Sequence, residues 1–380
     1  MPKITVAMAS YNHAPFVGEA IESVLAQKNC DFEFIIVDDG SKDNTVNEIK
    51  KYTDPRIKLI CFEKNQGACV ALRKAIESGT GEYVAILNSD DAFLEGKLVK
   101  QANFLDSNPH IDAVFGFPQI IDSEGKKIDK KKHYCGDAFY EANRTRHEWI
   151  NSFFYRTNTL CHPTVMIKRE CYNDLGYYDP RMSQLPDFDF WVRIAQKYEI
   201  FIMNEELIKF RILPNELNAS FPSKENLRRC QWEMAQILPQ FLKMNSLDEF
   251  VRCFPEDKEF IDLHKQIESQ YLIPFVLSLK ALSLSQAYNP TTPIAARTNG
   301  YKIPEIYCPS YAIFGMQTLY SLFNQKDFVE KVAPALNFDF VKLNQLSKHF
   351  DIFRFPLRPT FSKRLKNLFR KIYRKILQKK

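Results

Sequence analysis

No run of about 18 apolar residues occurs in this 380-residue chain, so no transmembrane helix is expected. The opening MPKITVAMAS lacks a charged segment followed by an apolar core of about 7–15 residues, so no secretory signal is read there. No CxxC pair is present either. The nine cysteines are Cys30, Cys61, Cys69, Cys135, Cys161, Cys171, Cys230, Cys253 and Cys308. Their odd number and mostly apolar surroundings argue for free thiols in a reducing cytosol, against a zinc site or a disulfide framework. Neither GxGxxG nor GxxxxGKS/T is found, which excludes a dinucleotide-binding dehydrogenase and a P-loop NTPase. Acidic residues are missing from 352–380, where eleven Lys and Arg lie. The net charge of +6 therefore belongs to that tail, and the rest of the chain carries about −5.

What is present is an ordinary soluble balance, 45% hydrophobic and 26% charged, with 31 Phe and 17 Tyr to build a large core. The first ninety residues alternate strand and helix patterns. Ile4–Ala9, Phe32–Val37, Ile57–Phe62 and Tyr83–Leu87 read as strands. Phe16–Gln27, a segment capped at Ser41 or Asn44 and running through Tyr52, and Ala68–Ser78 read as helices between them. Strictly alternating elements of this kind predict an α/β fold with a parallel sheet flanked by helices. Helices over 96–107, 141–155, 169–175 and 187–198 follow, with strands over 113–121, 164–167, 200–203 and 207–212. Beyond about residue 223 long helical patterns take over. The expected domains are 1–225, a helical region 226–350 and a basic tail 351–380.

The polar residues cluster at strand ends. Ser10-Tyr11-Asn12, Asp38-Asp39-Gly40-Ser41 and Asn88-Ser89-Asp90-Asp91 each close an apolar run. If the strands are parallel, all three clusters share the carboxyl edge of the sheet, where ligands bind in open α/β folds. That edge is rich in acceptors and poor in basic residues. It suits a nucleotide whose base and ribose offer N–H and O–H donors, with a divalent ion bridging to its phosphates. Each cluster also has a plain reading, since DDG is a turn signal and Asp91 can cap the helix that follows.

VAMASYNHAPFVGEAIESVLAQ, FEFIIVDDGSKDNT, NQGACVALRKAIESGTGEYVAILNSDD and the later PDFDFWVRIA resemble, in that order, the motifs of family-2 inverting glycosyltransferases of the GT-A fold. The resemblance covers about residues 3–212. It implies a Rossmann-like, mostly parallel sheet flanked by helices, followed here by the α-helical C-terminal region. It implies that Ser10, Tyr11 and Asp39 hold the base and ribose, that Asn88 and Asp90 occupy the ends of the DxD motif, and that Asp90 ligates Mg²⁺ or Mn²⁺ on the donor diphosphate. Ser89 is a further candidate nucleotide-sugar contact, as is Arg73 on the helix after Gln66-Gly67, whose other reading is a solvated helix face, with Asp91 in a supporting place. The resemblance also implies that Asp187 is the general base for the acceptor hydroxyl, against a plain N-cap reading and with Asp189 the competing carboxylate, and that the reaction is a single in-line displacement with inversion at the anomeric carbon. Two departures stand out. The first DxD position is Asn88, and the His that often follows the family's YR strand is absent, with Phe210-Arg211 leading into Ile212-Leu213. His162 in CHPTV is the candidate substitute near the phosphates, against a plain packing role.

In the tail, Leu365, Leu368, Phe369, Ile372, Tyr373 and Ile376 form a stripe flanked by Lys363, Arg364, Lys366, Arg370, Lys371, Arg374 and Lys375. A basic amphipathic helix over 361–380 suits an anionic membrane surface, and sparse aromatic platforms argue against nucleic acid. The whole predicts a cytoplasmic glycosyltransferase, peripheral on the cytoplasmic face of the membrane. Its partners would be a nucleotide sugar, UDP-linked first, and a glycan or lipid-linked saccharide acceptor in polysaccharide or lipopolysaccharide synthesis. Two alternatives remain. One is a catalytically degenerate glycan-binding scaffold, suggested by Asn88. The other is a sugar nucleotidylyltransferase, which would need a glycine-rich, basic loop after the first strand where this chain has SYNHAPF.

Overall fold

The computed structural model describes residues 2–129, 137–213, 218, 223–285 and 307–347. These fall into two compact units: 2–149 with 158–223, and 150–157 with 224–347. The basic tail 361–380 and Cys135 lie outside the described residues.

The first unit carries eight strands: β1 (Ile4–Ser10), β2 (Phe32–Asp38), β3 (Ile57–Cys61), β4 (Tyr83–Asn88), β5 (Ala92–Phe93), β6 (Ala113–Ile121), β7 (Met166–Lys168) and β8 (Ile200–Arg211). Their order across the sheet is β3-β2-β1-β4-β7-β6-β8-β5. β1 runs parallel to β2 and β4, β2 to β3, and β6 to β8; β7 is antiparallel to both its neighbours, and β5 to β8. The sheet is thus mixed, with its parallel half at the N-terminus.

Helices α1 (Val17–Leu25), α2 (Thr45–Lys50), α3 (Ala68–Ser78), α4 (Lys97–Ser107), α5 (Arg146–Arg156, shared with the second unit), α6 (Arg169–Leu175) and α7 (Pro186–Ala195) complete it. The even positions of β1 (Ile4, Val6, Met8) join Phe32, Phe34 and Ile36, then Tyr83, Ala85 and Leu87, and pack with Val17, Ala20, Ile21 and Val24 of α1 and Leu98, Ala102 and Leu105 of α4. The alternate residues Ala7, Ile35, Val37, Val84 and Ile86 are buried as well. Strands buried on both faces read as unbroken apolar runs, which is why these three were legible.

The segments read as two strands over 200–203 and 207–212 form the single strand β8. Asn204-Glu205-Glu206 looks like a loop, but these side chains stay on the sheet rim. Glu205 pairs with Lys100, and Glu206 with Lys127 and Gln119. The register slips beside this segment, between Phe115 and Phe117 and again before Pro118. Gly116 makes the slip feasible: a Cβ there would stand 2.4 Å from Leu207 Cδ1 and 2.9 Å from the Glu205 carbonyl.

Lys97, at the start of α4, is fully buried. Its Nζ donates to Gln101 Oε1 at 2.7 Å and lies 4.4 Å from the centre of the Phe93 ring, and among the described residues no carboxylate pairs with it. Burial pulls its ammonium down to about 7 from the usual 10.5. Over that window the unfolded chain binds a proton the native state does not, so this residue makes stability rise with pH. Lys97→Met is expected to flatten that rise, its advantage over the wild type being largest near neutral pH and fading toward pH 10.5. Urea unfolding across this range checks it, and parallel stability–pH curves for the two proteins would refute it.

The second unit is helical: α8 (Lys224–Ile237), α9 (Leu247–Cys253), α10 (Lys258–Leu263), α11 (Ser269–Ser285), α12 (Cys308–Phe323), α13 (Ala333–Ala335) and α14 (Phe340–Ser347). The helix expected over 256–282 is two, broken around His264, with Ser269 Oγ tied to the Asn245 carbonyl where α11 starts. The 150–157 segment belongs to this unit. Phe154 packs edge-on against Phe241, Phe254 and Tyr311, and Tyr311 donates to the Phe154 carbonyl at 2.5 Å. Trp191 is core in the first unit, whereas Trp232 is 51% exposed.

Candidate active site

The registers Ser10↔Asp38 and Ala9↔Asn88 bring the three polar strand ends level. Hydrogen bonds then lace the loops together. Past β1 the chain turns through Asn12, in the left-handed region at φ 54. The Asn12 N–H donates to Ser41 Oγ at 2.9 Å, and its Oδ1 accepts from the Lys42 N–H at 2.8 Å. Asp38 closes its own turn by accepting from the Ser41 N–H and Oγ. Asp39 is buried and reaches the next loop: its two oxygens accept the Gln66 N–H at 2.7 Å and the Gly67 N–H at 2.9 Å. Gly40, at φ +74, lets the backbone of Lys64-Asn65 approach to where a Cβ would be 2.7 Å away.

The 88–91 loop is held from below. Asp91 Oδ1 accepts the Arg211 N–H at 2.8 Å and Oδ2 accepts Asn88 Nδ2 at 2.9 Å. An Asp at 88 would set two carboxylates against each other here, so Asn88 is a donor matched to Asp91. Arg211 is buried at the end of β8. Its guanidinium donates to the carbonyls of Asp90, Asp122 and Ser123, pairs with Glu19 and lies over Phe16. Asp90 keeps part of its surface open, and its carboxyl has no hydrogen-bond partner on any other described residue. Burial raises the Asp90 carboxyl above the ordinary range, opposed first by His13. Burial and then repulsion from Asp90 raise Asp91 further. Ser10 Oγ is buried without a partner, and Tyr11 is 41% exposed. The strand edge thus carries a carboxylate on the 88–91 loop and an unspent hydroxyl and an open aromatic ring at the end of β1.

α7 adds the remaining carboxylates. Its approach is fixed beside the Asp39-held loop by Cys69 Sγ, 3.4 Å from the Met182 carbonyl. Pro186 takes the first helical position, where its missing N–H costs nothing. Asp187 Oδ1 accepts the Phe188 N–H at 2.8 Å and Oδ2 accepts Asn158 Nδ2 at 2.8 Å. Asp189 is buried against Arg193, at 2.9 Å, and that guanidinium also holds the carbonyls of Leu175 and Tyr177. Asp189 thus braces the helix.

Two expected contacts are placed otherwise. Arg73 pairs with Glu77 and stacks over Tyr177. His162 is half-buried and packed in an aromatic cluster with Tyr178 and Trp191, its Nε2 3.0 Å from the Tyr178 hydroxyl, and desolvation pulls it down to about 4. A neutral, packed imidazole offers no charge to a phosphate. Sequence reading missed His13, whose Nδ1 lies 2.8 Å from Ser89 Oγ, although it stands in SYNHAPF beside a recognised cluster. It also missed Arg211 and Asn158, which carry no pattern of their own.

The sequence profile of glycosyl transferase family 2 matches residues 5–176. An uncharacterized glycosyltransferase of Methanocaldococcus jannaschii is 34% identical over 222 residues, 57% of this chain and 73% of the relative. The chain belongs to glycosyltransferase family 2. This family-2 chain is also 31% identical over 222 residues to a Bacillus subtilis glycosyltransferase assigned to teichuronic acid biosynthesis, TuaG, covering 58% of this chain and 82% of the relative. Its fold matches S. aureus TarS 1–349 in complex with UDP, with a TM-score of 0.53 at 17% identity over 85% of this chain and 92% of that one. The complex with UDP-GlcNAc gives 0.52 at 17%, over 84% and 92%. The glycosyltransferase thus has the GT-A-like mixed sheet with a helical C-terminal region that its motifs implied.

Proposed function

We propose that this glycosyltransferase inverts the anomeric centre of a UDP-linked sugar as it passes it to a hydroxyl of a glycan or lipid-linked saccharide. The observation that carries this reading is the aligned strand edge, where Ser10, Asp39 and the 88–91 loop converge around a desolvated Asp90. The Ser10 hydroxyl, buried and unsatisfied, is suited to a nucleotide donor group. The UDP and UDP-GlcNAc complexes of TarS make a UDP-linked donor the first to test.

Among the described residues no group of three or more His, Cys, Asp or Glu side chains could hold a metal ion. The chemistry of Asp90 fits a divalent ion shared with the donor diphosphate, which leaves most ligand positions to phosphate and water. Mg²⁺ or Mn²⁺ bound there would offset charge developing on the leaving diphosphate. Asp187, oriented by the Phe188 N–H and the Asn158 amide, takes the acceptor hydroxyl proton as that oxygen attacks. The new C–O bond forms on one face of the sugar while the bond to the diphosphate breaks on the other.

A thermal-shift panel of UDP-, GDP- and TDP-sugars with and without Mn²⁺ tests the donor site. UDP-GlcNAc with Mn²⁺ at about 100 times Kd is expected to stabilise the protein by about 2.7 kcal/mol. Asp90→Asn should lose the Mn²⁺-dependent part and keep the fold. No shift with any nucleotide sugar, from a folded protein, would favour the glycan-binding scaffold. The tail carries a second proposal, contact with an anionic membrane surface at about 1 kcal/mol per basic residue. Deleting 361–380 is expected to move the protein from the membrane pellet to the supernatant, and an unchanged distribution would end that idea.

A further inference from the structure

We propose that His13 is a positioning residue for the donor site, a strut that fixes the 88–91 loop before any ligand arrives. The proposal rests on the reading that this loop presents Asp90 to the donor. The loop is braced at Asp91 and at the Asp90 carbonyl by Arg211 and Asn88. Ser89, between the Asn88 and Asp90 carboxamide and carboxylate, is buried, and its hydroxyl meets only the His13 ring, Nδ1 to Oγ at 2.8 Å, among the described residues.

His13 is itself anchored on the opposite side. Its N–H donates to Thr45 Oγ1 at 2.9 Å, the next N–H, that of Ala14, donates to Asp43 Oδ2 at 3.1 Å, and the preceding Asn12 is tied in both directions to the 41–42 turn. The ring also lies edge-on to Phe16, 6.3 Å between centres, on the approach to α1. His13 therefore spans from the β2 turn to the β4 turn, across the end of β1. The bond survives in either imidazole tautomer, because the Ser89 hydroxyl can donate or accept. Removing it leaves a buried hydroxyl without a partner in the one loop whose geometry sets Asp90, a cost that relaxation of that loop would relieve.

Hydrogen exchange on the ligand-free protein reads the strut without any donor. His13→Ala is expected to speed exchange at 88–91 by about five- to tenfold while 83–87 is unchanged, and His13→Asn, whose amide falls where Nδ1 was, to restore protection. Ser89→Ala should reproduce the His13→Ala loss, and the double variant should add nothing. In parallel, isothermal titration with UDP and Mn²⁺ is expected to show about five- to tenfold weaker binding for His13→Ala. Unchanged exchange at 88–91, or additive losses in the double variant, would overturn the strut. Normal exchange effects in a protein that binds no nucleotide would leave the strut standing and remove the donor-site reading instead.

Discussion

Asp187→Asn is expected to cut transfer by about 10²–10⁴-fold while leaving UDP-GlcNAc and Mn²⁺ binding within about twofold of wild type. The substitution keeps the shape and the hydrogen-bonding reach at the start of α7. One amide oxygen can still accept from the Phe188 N–H or from Asn158, both partners of the carboxylate. In the proposed mechanism what is lost is the group that takes the acceptor proton, while donor binding uses the strand edge on other elements, so affinity and turnover should separate. Steady-state kinetics of UDP release with acceptor, beside calorimetry of donor binding, measures both. Full transfer by Asp187→Asn would place the base elsewhere. Asp189 is a poor successor, since its carboxylate is buried against Arg193. Asn158→Ala would then be the informative companion, because it releases Asp187 without removing it.

Arg211→Met is expected to destabilise the first unit by about 3–5 kcal/mol. The methionine fills space but leaves the carbonyls of Asp90, Asp122 and Ser123 without their donor and Glu19 with Lys209 but not Arg211 as a cation. Glu19 is 39% exposed, keeps Lys209 and can recover hydration, so most of the cost falls on the part-buried carbonyls. In a unit of this size the melting temperature should drop by about 10 °C. Donor binding should weaken too, since the Asp90 loop loses a brace. Arg211→Lys is expected to rescue little, because one ammonium cannot serve carbonyls on two loops as the guanidinium fork does. Equal melting temperatures for Arg211→Met and wild type would show that the hub is dispensable.

The first ninety residues were legible because their strands are buried on both faces and their helices carry clear stripes. α3 lies where its periodicity puts it, and β6 likewise. β8 was not, because the polar Asn204-Glu205-Glu206 imitates a turn while ion pairs keep it in the sheet. The site was legible as a list of residue types at strand ends, less so as a division of labour. Asn88 looked like a missing carboxylate. Its amide is instead the donor that Asp91 requires, a fact set by a contact three residues away in a tight loop. His162 looked like a spare ligand, and desolvation among aromatic rings made it a packing group. Arg211 gave no signal, since a lone arginine closing a strand looks the same whether it faces water or three carbonyls.

The membership of 150–157 in the second unit has a consequence for modularity. Ile150, Phe153 and Phe154 are buried, and the rings around Phe154 come from residues 241, 254 and 311. A chain shortened at 223 would carry this greasy strip with its partners deleted, while the remainder would lack the strip it is built around. The catalytic and helical halves are therefore not cassettes to be cut at the sequence boundary. Any recombination that swaps the helical unit between relatives has to exchange 150–157 along with it, and the peptide linking α5 to its neighbours becomes the seam that evolution must preserve.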